Sequence, residues 1–317
     1  MNKCINEHPI FMDQFLDIPM PSHDRLRYTI QQWIWLGMAG GFVSGDARDG
    51  KSVSVRIVKD RFKTRTQVPI PSLYITIPDR DKKTIRSVMF SIFTELKLKG
   101  SPGGYGTADK LANQIRMEFR EIVHQASCNR IILFVDEAQR LTTEQMNAFA
   151  ELYDKMAVDK IQLSVIFIAN LMESQKLLKS LVKEHKFSHI KGRFLTQALE
   201  YKGITSQKDV KFILRQYDRI KDPDTHQTYT EYFLPEAVHD KNFKLASLAP
   251  KLWKCYRQGI KKELKLDKWT SQYFFSTVNS LLTYFLPSYG TETDLEELIE
   301  AAIEASGIRP TFAELIV

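Results

Sequence analysis

The chain predicts an α/β fold, a parallel five-stranded sheet with helices on both faces, followed by a small all-helical domain. Three observations carry this. Residues 45–52, Gly-Asp-Ala-Arg-Asp-Gly-Lys-Ser, fit G-x-x-x-x-G-K-[ST], a loop that joins a strand to a helix. Residues 131–135 are wholly apolar, and residues 163–169 are apolar but for Ser164, as strands buried on both faces of a parallel sheet are. After residue 203 the strand pattern stops and helical periodicity continues alone.

Taken in order, Ser22 caps a helix whose apolar positions Leu26, Ile30, Trp33, Ile34 and Gly37 recur at helical spacing, with Gly40 and Gly41 closing it. A first strand at 41–44 enters the glycine-rich loop, and a helix over 53–62 leaves it. Residues 73–77 are a second strand, stopped by Pro78; helices follow at 84–98 and through Leu111, Ile115, Phe119, Ile122 and Val123, with the loop 100–106 between them. The third strand is 131–135. Thr142 and Gln145 form a capping-box pair before the apolar face Met146, Phe149, Leu152, Tyr153 and Met156. The fourth and fifth strands fall at 163–169 and 194–201. Ser206 and Asp209 open a helix through Val210, Ile213, Leu214 and Tyr217, and residues 243–262 and 269–285 are helical. The predicted organisation is an extension at 1–21, a core at 22–203, a helical domain at 204–286 and an acidic tail at 287–317.

Composition is that of a soluble globular protein, with 43% hydrophobic and 26% charged residues. No apolar run approaches the roughly 18 residues of a membrane span. Glu7, Asp13, Asp17 and two prolines make residues 1–20 unlike a secretory leader, and three widely spaced cysteines speak against a disulfide framework. A reducing cytoplasm and no membrane partner are expected. The net charge of +7 is uneven: seven acids and one base after Leu286 give that segment −6 and leave +13 on the rest. A basic body suits a polyanion such as nucleic acid, or merely a soluble surface. The acidic tail carries Leu295, Leu298, Ile299, Ala302 and Ile303 at helical spacing, so it either docks on a basic partner or a neighbouring subunit, or packs on its own domain.

The chemistry follows from residue types. Backbone N–H groups of Gly45, Asp46, Ala47, Arg48, Asp49 and Gly50 would cradle phosphates at a helix N-terminus, with Lys51 on the β/γ-phosphates and the Ser52 hydroxyl on Mg²⁺. The apolar strand 131–135 delivers Asp136 and Glu137 at its C-terminal end, where ligands of α/β sheets bind. Asp136 would hold Mg²⁺ and Glu137 would orient and polarise the attacking water. The next strand ends in Asn170, which either fixes that water or the γ-phosphate oxygens, or caps the turn that follows. Arg193 would project from the domain edge toward a neighbour's γ-phosphate, or form a surface salt bridge. The base-reading N-K-x-D motif of guanine binders does not occur in the sequence, which favours ATP.

This order of motifs resembles the AAA+ ATPases, over roughly residues 22–260: residues 45–52, with Val53 beside them, as Walker A, Asp136-Glu137 as Walker B, Asn170 as sensor 1, Arg193 as the finger, and a helical lid after them. Within that superfamily the chain resembles the TnsC/TniB group, regulators of cut-and-paste transposition. Asp136-Glu137-Ala138-Gln139-Arg140-Leu141 looks like that group's D-E-[AC]-Q-x-L, and Ile77-Pro78-Asp79 before a helix is similar too. The resemblance implies an AAA+ type sheet and ATP hydrolysis with Mg²⁺, which a sensor 2 that is absent or a lysine would make slow. It implies rings or filaments of the protein itself on double-stranded DNA, recruitment of transposase subunits, and placement by a target-selector protein or CRISPR complex in a bacterial cytoplasm. Arg80, Lys82, Lys83, Arg116 and Arg120 are the expected DNA contacts. Lys251 is the candidate for the lid's sensor 2 position, with Arg257 second. The alternatives are a replication initiator or helicase loader of the same superfamily, and a P-loop enzyme acting on a small molecule.

Overall fold

The structure, a computed structural model, describes residues 8–11, 17–98 and 106–313. Most of the expected loop 100–106, and Glu314 of the acidic tail, lie outside the described residues. The chain divides into two compact units. The first comprises residues 23–47 and 51–201; the second comprises residues up to Ser22, residues 48–50, and residues from Lys202 onward.

In the first unit, helix α1 (Pro21–Trp35) leads to β1 (Gly40–Gly45), the glycine-rich loop and α2 (Lys51–Val58). Next come β2 (Ser72–Thr76), α3 (Ile85–Glu95), α4 (Ala108–Gln125), β3 (Arg130–Asp136), α5 (Met146–Val158) and β4 (Gln162–Asn170). Helices α6 (Leu171–Lys183) and α7 (Ser188–Phe194) precede β5 (Ala198–Glu200). All five strands are parallel, in the order β2-β3-β4-β1-β5. The expected parallel five-stranded sheet with helices on both faces is present.

Alternation along each strand splits the core in two, because successive side chains point to opposite faces. Leu133, Val135 and Phe167 join a cluster with Val88, Ile115 and Phe149 of α3, α4 and α5. Ile132, Phe134 and Ile168 join one with Ile30 of α1 and Val55 of α2. Each such side chain stabilises the fold by about 1.5–3 kcal/mol. Capping closes the helices: Thr84 caps α3, and Thr142 and Gln145 exchange the two reciprocal bonds of the expected capping box at 3.2 and 3.0 Å.

Two boundaries differ from the sequence reading. Gly40 and Gly41 do not end α1; they begin β1, and the helix stops at Trp35. Their lack of a side chain serves contact: a Cβ on Gly41 would sit 2.4 Å from the Trp33 ring. Residue 194 opens no strand, because Phe194 ends α7 with its ring buried near Phe167, at 5.8 Å between centroids. The apolar pair Phe194-Leu195 is a helix end, and β5 is correspondingly short.

The second unit is helical: α8 (Gln207–Tyr217), α9 (Tyr229–Phe233), α10 (Pro235–Lys241), α11 (Ala249–Tyr256), α12 (Ser271–Ser280), α13 (Leu286–Tyr289), α14 (Leu295–Ala305) and α15 (Ile308–Ala313). Single π turns at Arg257–Lys261 and Leu281–Phe285 extend α11 and α12. The unit has its own core around Tyr217, Tyr256, Trp269 and Phe274, with Tyr256 and Trp269 stacked at 4.5 Å. The acidic helix α14 packs here through Ile299, Ala302 and Ile303, the second of the two roles open to it. No helix among the described residues is long and apolar enough to cross a membrane.

Candidate nucleotide site

Parallel strands bring their C-terminal ends to one edge, and three site segments meet there by topology. Gly45 ends β1 opposite Asn170 of β4, and Asp136 ends β3 on the far side of β4. Neighbouring strands are about 4.8 Å apart, so the glycine-rich loop and Asp136 are separated by about 10 Å of sheet. The order β3-β4-β1 thus sets Asn170 between them.

The loop is shaped for an anion. Arg48 has φ 67° and Gly50 has φ 87°, left-handed values that turn successive N–H groups inward as a nest. Lys51 is buried, and its ammonium donates to Gly45 O at 2.8 Å and Asp46 O at 2.5 Å, so it is held over the loop. Ser52 is half-buried at the start of α2 and Val53 is exposed beside it. Tyr201 fixes β5 against this region, bonding Ser44 O through its amide at 2.6 Å and Ser54 through its hydroxyl at 2.6 Å.

At the end of β3, Asp136 is buried and accepts from the amide of Glu137 at 2.9 Å. Tyr74 of β2 donates its phenol to the other oxygen of Asp136. Burial, and then the Asp136 charge, push the Tyr74 pKa far up, so the phenol stays a donor. Glu137 lies in the left-handed region at φ 56°, a conformation that costs a non-glycine residue about 1–3 kcal/mol. Its carboxylate is held twice, by Gln139 Nε2 at 2.8 Å and by Arg140 Nη2 at 3.2 Å. Gln139 turns its other end to β4, where its Oε1 accepts from the amide of Asn170 at 3.1 Å. Asn170 does cap α6: its Oδ1 accepts from Met172 N at 3.0 Å and Glu173 N at 3.4 Å.

Arg193 is elsewhere. It lies inside α7, next to Phe194, whose ring would be 3.0 Å from a Cβ on Gly40, at the opposite end of β1 from the loop. Six strand residues span about 20 Å. Its guanidinium takes both oxygens of Asp154 at 3.0 Å and lies over the Tyr153 ring at 5.2 Å.

The expected DNA contacts separate into two groups. Arg80, Lys82 and Lys83 line a cleft with Arg140, and Arg80 lies over Phe90 at 5.7 Å. Arg116 instead grips Asp159 with two bonds of 2.6 and 2.7 Å, and Arg120 approaches the same carboxylate at 4.0 Å. The hydrogen bonds from Arg116 hold the Asp159 carboxyl below its ordinary range.

Lys251 is exposed on α11 of the second unit. Another lysine there was missed by local reading. Lys268 bonds the wholly buried carboxylate of Asp49, one of the three loop residues that group with that unit. Ser271 Oγ donates to Asp49 O at 2.7 Å, Gln272 N donates to Arg48 O at 3.1 Å, and Arg48 donates to the Tyr273 hydroxyl.

The loop with its buried lysine, the strand-end carboxylate pair and the polar residue between them make this edge the candidate nucleotide site. Residues 39–178 match the AAA domain family. No curated protein matches the chain. Among solved structures it is similar to Cdc6p from Pyrobaculum aerophilum, with 13% identity, 96% of this chain and 89% of that one covered, and a TM-score of 0.45. It is also similar to the Walker-type ATPase paby2304 of Pyrococcus abyssi, with 16% identity, 90% and 88% coverage and a TM-score of 0.43. A third is a Drosophila ORC structure bound to DNA, with 11% identity, 93% and 66% coverage and a TM-score of 0.43. The matched residues include the loop, the Asp136-Glu137 pair and Asn170, whereas Arg193 and Lys251 lie outside them.

Proposed function

We propose that the protein is an ATP-dependent, DNA-binding regulator of transposition, which assembles on target DNA and links target selection to transposase recruitment. The observation that carries the reading is the position of Arg193. The loop, Asp136, Glu137 and Asn170 share one edge of the sheet, while Arg193 lies about 20 Å away at the other end of β1. An arginine so placed completes a γ-phosphate site only in a neighbouring copy, and a head-to-tail contact of that kind builds rings or filaments.

In this reading Lys51 and the loop amides bind the phosphates of ATP. The hydroxyl of Ser52 and the carboxylate of Asp136 are hard oxygen donors of the kind Mg²⁺ prefers, and would hold it; bound there, Mg²⁺ neutralises phosphate charge. Glu137, positioned by Gln139 and Arg140, polarises the attacking water. Arg193 must leave Asp154 to act, so hydrolysis waits on assembly. The cleft with Arg80, Lys82 and Lys83 supplies phosphate contacts for duplex DNA. The transposition role rests on the Asp136-to-Leu141 motif.

The test is electron microscopy with duplex DNA, comparing a non-hydrolysable ATP analogue, ADP and no nucleotide, followed by transposase pull-down from the assemblies. Rings or filaments on DNA only with the analogue, retaining transposase, are expected. Monomers throughout would refute assembly, and assemblies that retain a helicase but no transposase would favour the loader. In mixtures, Arg193→Ala and Lys51→Ala chains, each inactive alone, should restore part of the ATPase activity.

A further inference from the structure

Helix α8 has a one-signed outer face. Its exposed charged residues are Lys208, Lys211 and Arg215, at spacings of three and four that keep them on one side, and the exposed Arg219 follows in the turn just after the helix. Phe212, 36% exposed, sits among them. The acids of the same segment are turned to other work. Asp209 accepts from Thr205 N at 3.0 Å and Ser206 N at 2.9 Å as part of the α8 capping box. Asp218 accepts from Thr230 Oγ1 at 2.7 Å, Leu245 N at 2.9 Å and Ala246 N at 3.0 Å. Among the described residues none of the four cations enters an ion pair, whereas the lid's other bases are often matched: Lys241 to Glu292, Lys254 to Glu296, Arg309 to Glu263. Lys208, moreover, lies in the first turn of α8, where the helix dipole opposes a cation.

We infer that this face of α8 is a second DNA contact, one that grips the phosphate backbone of duplex DNA. Complementary charge selects that occupant. From Lys208 to Arg215 the helix rises about 10 Å, the axial span of three phosphates of one strand at about 3.4 Å each. Four flexible cations and no exposed acid fit a uniform polyanion and carry no pattern for reading bases. The inference rests on the DNA-binding reading above and adds a surface separate from the Arg80 cleft.

The experiment is fluorescence anisotropy of a 30-base-pair duplex, over a range of salt, with the full-length protein and an ATP analogue. The variant K208Q/K211Q/R215Q/R219Q is compared with wild type and with K176Q/K179Q/K183Q, which removes exposed lysines of α6. Each phosphate contact contributes about 0.9 to the slope of log K against log salt, so loss of four lowers it by about 3.6, and affinity at low salt falls by more than tenfold. The α6 variant should keep the wild-type slope. An unchanged slope in the α8 variant overturns the inference while leaving DNA binding intact; no salt-dependent binding by wild type overturns the DNA reading itself. Equal losses in both variants would mean bulk charge alone and refute it. So would loss of DNA-free oligomers in sedimentation by K208E/K211E/R215E/R219E, restored by E297K/E300K, which would assign the face to the acidic α14 of a second copy.

Discussion

The ammonium of Lys268 neutralises the carboxylate of Asp49, which has no solvent exposure at all, across 219 residues of sequence. Removing one partner of a buried pair strands the other, at a cost of about 3–5 kcal/mol. Lys268→Met should therefore lower stability in urea by about that amount, and Asp49→Asn in the same chain should recover most of it. A double-mutant cycle that shows no coupling would contradict the arrangement.

Gln139 holds Glu137 with one end of its amide and Asn170 with the other. Gln139→Ala should reduce kcat for ATP by about tenfold with KM little changed, short of the 10²–10⁴ that removing a general base costs. Steady-state kinetics separates the two constants. A rise in KM alone would show that Gln139 shapes binding and does not position Glu137.

Tyr74 gives Asp136 a neutral donor that stays protonated. Tyr74→Phe leaves that oxygen short of a partner in a buried place, which costs about 1–3 kcal/mol. The Mg²⁺ concentration that half-activates the ATPase should shift several-fold, and a magnesium titration at fixed ATP reads it.

Burial holds the His23 imidazole down, to about 4, against 6.5 when the chain is unfolded. Between those values the unfolded chain binds the extra proton, so stability is full above pH 6.5, falls as pH drops toward 4, and levels off below it. The loss is roughly 3 kcal/mol at 1.36 kcal/mol per pH unit. Burial also lowers His8, in the same direction. Urea melts from pH 7.5 to 4 should show the slope, and His23→Gln should flatten most of it.

Much of this architecture is legible in the chain because its signals are local. Residues 45–52 announce the loop, residues 131–137 announce a buried strand with acids at its end, and Thr142 with Gln145 announces a helix start. What local pattern lacks is register. Tyr74 reads as one strand residue among five; only the pairing of Thr76 with Asp136 puts its hydroxyl beside that carboxylate. Lys268 is one of nine bases in a lysine-rich stretch, and nothing within it names Asp49. Gly41 misleads for a related reason, since the residue that requires it, Trp33, is met only once helix and strand are packed.

The cap at the start of α6 limits what Asn170 can report. With its side-chain oxygen taken by two helix amides, only its NH₂ hydrogens remain to face a nucleotide. It can register an oxygen acceptor such as a phosphate, but it cannot draw a proton from water. A displacement of Asn170 would also slacken the first turn of α6, and α6 packs against α7, which carries Arg193. In the assembly proposed above, phosphate loss in one copy would pass through α6 and α7 toward Arg193, so that assembly would age directionally, from subunit to subunit.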